Sequence, residues 1–211
     1  MHSGLTHGGP LHRVNKMTPR RDERATVPAG WDYNPSSWRQ RWPNLAFAVL
    51  AFAATLHLSQ HELHPRLVPW EPFFGDGTRL VLDSWLLRAL PVPFATLSAV
   101  LFLLAAFTGA LGGSCRWRTL PCVVLGFALC VVPTALAHVA LVILQPTLLG
   151  AWSTLCLLSA LLSVSMVGPT LEEVLATLQH LQRTARCGCS WWRAFWGLPV
   201  RMRRLELLLE Y

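Results

Sequence analysis

The sequence predicts an all-α fold, an integral membrane four-helix bundle, and three observations carry that expectation. Hydrophobic residues make up 53% of the 211-residue chain and charged residues only 14%, against roughly 25% charged in soluble domains. The shortage of charge is concentrated: positions 119 to 171 hold no Asp, Glu, Lys or Arg, and that run exceeds the ~20 residues that one membrane-spanning helix needs. The basic residues are also lopsided. Of the 18 Lys and Arg, seven precede Trp42, Arg116 and Arg118 lie between the second and third apolar stretches, and six follow Glu173. Only Arg66, Arg79 and Arg88 fall elsewhere. Because the cytoplasmic flanks of membrane helices collect Lys and Arg, both termini are expected in the cytoplasm, with the 59–88 loop and the 145–148 turn outside.

The elements follow in order. Residues 1–30, rich in Gly, Pro, His and Arg, read as a disordered cytoplasmic tail. A four-span membrane domain is expected over 31–170, with spans at about 42–58, 90–111, 120–144 and 148–167. Gln145 and Pro146 divide the last two, since proline lacks an amide donor and clashes with the preceding turn. Trp42, Trp70, Trp85, Trp117 and Trp152 fall near span ends, as an aromatic belt requires. Between spans one and two, the Gly75-Asp76-Gly77 turn and the apolar positions Leu80, Leu82, Trp85 and Leu86 predict a short amphipathic outer segment lying on the membrane. After span four, Gly168-Pro169-Thr170 reads as a break, and Thr170 with Glu173 as a capping box that starts a new helix. Leu171, Val174, Leu175, Leu178 and Leu181 give that helix one apolar face. Residues 171–211 are therefore expected as a cytoplasmic amphipathic tail ending in a basic, aromatic anchor. The net charge of +7 sits on the cytoplasmic flanks, where anionic lipid attracts it, so the expected partner is membrane lipid and not nucleic acid.

Few side chains carry chemistry. None of the six cysteines lies in the expected outer loops, which argues against a disulfide framework. Cys122 and Cys130 fall inside span three and read as small apolar residues. Cys187 and Cys189 lack the second ligand pair of a zinc site. His57, His61 and His64 share a helical face, yet they lie at the wet end of span one and read as solvent-facing, so no metal site is expected. Cys156 stands apart because it lies about two turns into span four, near the positive end of the helix dipole, where disulfide-exchanging thiols are commonly activated. Ser153 precedes it by three residues. By the same count His138 lies six residues before the end of span three, so both groups are expected about 9 Å deep and able to face each other. An ionisable group at that depth is either functional or bonded to a neighbouring carbonyl. Small residues that pack helices account for S-x-x-C equally well.

Several motifs in their order give a further clue. GWDYNPSSW, WEPFFGDGT followed by VLDS, LPVP before span two, RWRTLP before span three and QPTLLGAWSTLCLLSA at span four together resemble bacterial members of the vitamin K epoxide reductase family, over about residues 31–180. The resemblance implies a four-helix bundle in the inner (plasma) membrane that holds a quinone near the outer surface. It also implies a C-x-x-C at the start of span four. There the second cysteine faces the quinone, while the first exchanges disulfides with a thioredoxin-like partner on the outer side or with a shuttle pair in the outer loop. By position Cys156 matches the quinone-facing cysteine and Ser153 occupies the exchanging one. Ser84 matches a loop serine typical of the family, and Ser84, Phe94, His138 and Trp152 make up the candidate quinone pocket.

The departures are specific. Serine forms no disulfide, so the dithiol couple lacks its entry half. The outer loop has no shuttle cysteines, Phe94 stands where many members have asparagine, and Ala160 stands where some have tyrosine. The function expected from sequence is a quinone-linked thiol-disulfide oxidoreductase whose active-site pair is broken at Ser153. The alternative is a non-catalytic membrane scaffold or quinone-binding protein.

Overall fold

A computed structural model describes residues 27–64, 66–67 and 69–199. Helix α1 (Trp38–Leu63) packs against α4 (Phe94–Ala110), α4 against α6 (Pro121–Leu144), α6 against α7 (Thr154–Arg186), and α7 back against α1, closing a ring of four. The shorter helices α2 (Gly77–Leu82), α3 (Trp85–Arg88), α5 (Arg116–Thr119) and α8 (Trp191–Phe195) lie in the connections and beyond α7. No strand occurs among the described residues.

The burial pattern inverts that of a soluble bundle. Ala48, Ala51 and Ala54 of α1 and Ala95, Ala99 and Ala105 of α4 are buried, where small side chains let membrane helices approach closely. Leu50, Leu103, Phe107, Leu129, Leu136 and Leu161 are exposed. A helix surface of this kind suits lipid and would aggregate in water. Three helices are long and apolar enough to cross a membrane, α1, α6 with its extension to Leu149, and α7. The fourth, α4, has 17 residues.

The observed helix ends depart from the expected spans where prolines and buried charges intervene. The second span is expected from about 90, but α4 begins at Phe94, because Pro91 and Pro93 push the residues before them out of the helical conformation. The break expected at Gly168-Pro169-Thr170 is absent. Helix α7 runs through it for 33 residues with Pro169 inside. The proline forfeits one amide bond, but Thr170, Glu173, Ala176 and Thr177 are all buried on the bundle side, so one packed face spans the interruption. The expected capping box therefore does not form. Thr170 Oγ1 donates to Met166 O instead.

Glu173 serves a different purpose. Arg116 Nε donates to Glu173 Oε1 at 2.5 Å, Arg116 Nη2 pairs with Oε2, and Ser36 Oγ donates to Oε1. Arg116 is 1% exposed and Glu173 3%. The same guanidinium donates to Thr108 O and Gly109 O, while Arg41 donates to Gly109 O, Leu111 O and Gly112 O. These are carbonyls of the last turn of α4 and the residues just past it, which have no helical partners of their own. Two guanidiniums also complement the negative end of that helix. One knot thus joins α1, α4, α5 and α7.

The basic end of the expected 171–211 tail, at 200–211, lies outside the described residues, as do residues 1–26 of the tail expected to be disordered. Beyond α7, Trp192 stacks on Phe195 at 5.6 Å and meets Trp196 edge-on at 5.8 Å.

Removing one partner of the buried ion pair leaves the other uncompensated. Glu173→Ala is expected to cost roughly 3–5 kcal/mol, read as a large fall in unfolding temperature in detergent, with Glu173→Gln, which keeps hydrogen-bonding atoms, falling between that and the parent.

Candidate functional site

The site is built by the chain between α6 and α7. Residues Gln145–Leu149 form a π-helical turn, a widened turn that commonly marks functional positions. Gly150 ends it with φ 61°, a left-handed conformation that glycine adopts without penalty. Three more residues are extended, so α7 starts at Thr154 and not near 148. Cys156 therefore lies in the first turn of α7 and not two turns in, as expected. Ser153 is the N-cap: its Oγ accepts from Cys156 N at 3.4 Å, and its own N–H donates to Gln145 Oε1 at 3.2 Å.

Residues 71–78 dock against this helix start. Gly77, the first residue of α2, lies so close to the Trp152 carbonyl that a Cβ added there would meet the oxygen at 1.9 Å. Glycine is the residue this approach admits. The contact brings Glu71 and Thr78 over Ser153 and Thr154. Thr154 N donates to Glu71 Oε2 at 3.0 Å, and the hydroxyls of Thr154 and Thr78 also donate to the carboxylate. Thr78 Oγ1 lies 2.7 Å from Ser153 Oγ. A hydroxyl has one hydrogen. With that of Thr78 given to Glu71, Ser153 must donate to Thr78, and its lone pair takes Cys156 N–H. The chain of donors runs one way, from Cys156 through Ser153 and Thr78 to Glu71.

A carboxylate over a helix N-terminus is favoured by the helix dipole. Partial burial opposes its charge, but bonds from Thr154 Oγ1, Thr78 Oγ1 and the Thr154 and Phe73 amides outweigh this and hold the Glu71 carboxyl below its ordinary pKa.

Cys156 itself is 4% exposed, in an apolar cluster with Ala54, Val81, Leu87, Leu141 and Leu155. Phe94 packs on the cluster, and its ring centroid is 5.2 Å from that of His138. His138 is buried, donates from Nδ1 to Thr134 O at 2.9 Å, and meets Phe102 on another side at 5.6 Å. Phe94 thus touches both the Cys156 cluster and His138, while no direct bond joins those two. Ser84 caps α3, accepting from Leu87 N at 3.4 Å, and so acts on the cluster only by placing Leu87. Trp152 faces away, toward Phe74 at 6.4 Å. His57 and His61 approach through Nε2 at 3.4 Å, and among the described residues no three His, Cys, Asp or Glu side chains gather as a metal site would require.

Three contributors escape sequence reasoning. Glu71 stands in the WEPFFGDGT motif, but nothing local marks which glutamate reaches a helix 83 residues away. Thr78 is equally silent. Gln145 reads from sequence only as a divider between spans, yet it is 0% exposed, Oε1 is committed to Ser153, and Nε2 has no hydrogen-bond partner. The Cys156 thiol lies within interaction range of both Ser153 and Gln145. Beside this cluster an apolar groove of about 430 Å³ opens between α1 and α7, lined by Leu50, Ala54, Leu155 and Leu158, with His57 and Trp70.

The described helices form an apolar four-helix bundle with a buried thiol on the first turn of its last long helix. The profile of the Vitamin K epoxide reductase family matches residues 42–171, well over half of the chain, and the chain belongs to that family. No curated protein and no solved structure matches it.

The depressed Glu71 pKa has a signed consequence. Its contribution to stability is complete at neutral pH and is lost as pH falls below the ordinary glutamate value and then through the folded one. The protection of the amides of residues 70–80, read as the intrinsic exchange rate divided by the observed rate at each pH from roughly pH 6 to pH 3, is expected to fall steeply in the parent. Glu71→Gln should raise exchange at neutral pH and flatten that acid limb.

Proposed function

We propose that the chain is a membrane member of the vitamin K epoxide reductase family that keeps the quinone-facing thiol, Cys156, while Ser153 replaces its exchanging partner and blocks the thiol-disulfide half of the chemistry. The observation that carries this reading is the position of the two residues: Ser153 caps the helix and Cys156 lies on its first turn, joined by one hydrogen bond. Around them the residues suit a flat apolar ring. Phe94, Leu141 and Leu155 pack in or against the Cys156 cluster, and the groove beside Leu155 offers an apolar tail a lateral path to lipid. A bound quinone supplies a two-electron, two-proton acceptor. The chain's own share is to present the Cys156 sulfur, exclude water through the cluster and hold residue 153 against Thr78. A dithiol at 153 and 156 would release two electrons and two protons on closing its disulfide; with oxygen at 153 no such bond can close.

In this reading the bundle spans the inner membrane with both termini cytoplasmic, following the positive-inside asymmetry. The Ser153 end then faces outward, where a thioredoxin-like partner would meet it. A second reading, a non-catalytic membrane scaffold or quinone-binding protein, is favoured by one observation: Ser153 Oγ is fully used in the donor chain to Glu71.

Ser153→Cys separates the two readings. In detergent or nanodiscs with quinone, the variant is expected to form an internal 153–156 disulfide, seen as a loss of two titratable thiols, and to support quinone-dependent oxidation of a thioredoxin-like dithiol that the parent lacks. A variant that folds and binds quinone but forms no disulfide would favour the scaffold.

A further inference from the structure

Among the described residues, Gln145 is the one buried side chain at this end of the bundle left with an unmet donor. It is 0% exposed, its Oε1 is fixed by Ser153 N at 3.2 Å, and that bond decides the orientation of the whole amide, leaving Nε2 without a partner. A buried amide donor left unpaired costs about 1–3 kcal/mol, so Nε2 calls for an acceptor, an ordered water or a ligand atom. The π-helical turn that begins at Gln145 is what carries this side chain toward Ser153 and Cys156. The remaining groups near the thiol cannot serve. Phe94 and Leu155 are apolar, Ser153 Oγ donates to Thr78, and the Nδ1 donor of His138 is spent on Thr134 O.

We propose that Gln145 Nε2 is the hydrogen-bond donor that fixes a carbonyl oxygen of a quinone ring beside Cys156. The inference rests on the quinone reading above and adds the residue that orients the ring. The sulfur alone is a poor substitute for that acceptor, because thiol sulfur accepts hydrogen bonds weakly. Gln145 acts through one donor atom held by Ser153, so position 153 retains a task that needs no sulfur: its backbone N–H sets the amide.

The test is binding, not turnover. Ubiquinone-1, whose fully substituted ring resists thiol addition, is titrated into the purified protein in detergent, and the infrared carbonyl stretch of the bound quinone is recorded. The parent is expected to bind it with one carbonyl band moved to lower frequency than in detergent alone. Gln145→Leu should lose that shift and bind roughly tenfold more weakly, the effect of one neutral hydrogen bond. Gln145→Met, closer in length and equally without a donor, replaces it if the leucine variant does not fold. Binding with an unshifted band in the parent, or with equal affinity and an identical band in the variant, overturns the role of Gln145 and leaves the quinone reading standing. Absence of binding in the parent overturns both.

Discussion

A helix that begins inside a protein carries amide donors that water cannot reach, and the start of α7 meets that constraint with side chains from elsewhere in the chain. Ser153 takes one amide and Glu71 another, with Thr78 linking the two caps. The position of Cys156 follows from this arrangement, since its backbone N–H is one of the groups being satisfied. So does the docking of residues 71–78, which reach the helix only because Gly77 has no side chain to strike the Trp152 carbonyl. The position of Cys156 and the cover over it are therefore one structure.

The same rule organises both ends of α4. Glu62 accepts from Thr96 N at 3.1 Å, placing a carboxylate at the start of α4. Arg41 and Arg116 take the carbonyls at its end. Acidic groups cap helix starts and basic groups cap a helix end, each matched to the dipole it meets. Charges that the sequence distributes sparsely are thus spent on helix termini, where in an apolar surrounding an unpaired backbone group costs most.

Much of the architecture was legible because it follows from composition. The 119–171 stretch without charge predicts two helices, and the structure has α6 and α7 there, but the helix continues through Gln145-Pro146 as a π-helical turn and the separation falls at Gly150 and the extended run to Ser153. Long-range pairing was not legible. Thr170 and Glu173 fit a capping box locally, yet Glu173 is claimed by Arg116 some 57 residues away, a partner of opposite charge that no window reveals. The late start of α7 was hidden for a related reason: Leu148 and Leu149 read as helix by hydropathy, while Gly150 and the extended run to Ser153 are fixed by contacts with Glu71, Thr78 and Gln145. At the candidate site, Cys156 and Ser153 could be picked out by spacing and resemblance. The residues that set their surroundings could not, because they are ordinary polar side chains whose partners are distant.

Serine at 153 supplies a hydroxyl that donates onward to Thr78, which a thiol sulfur would do less well. The central claim is that the carboxylate of Glu71, acting on the first turn of α7, holds the site together. A double-mutant cycle between Glu71→Gln and Thr154→Ala, read by unfolding free energy in detergent, tests it most directly. The account expects the two changes to be coupled by about 1 kcal/mol or more, as charge-assisted hydrogen bonds are. Additive effects, with coupling indistinguishable from zero, would contradict it.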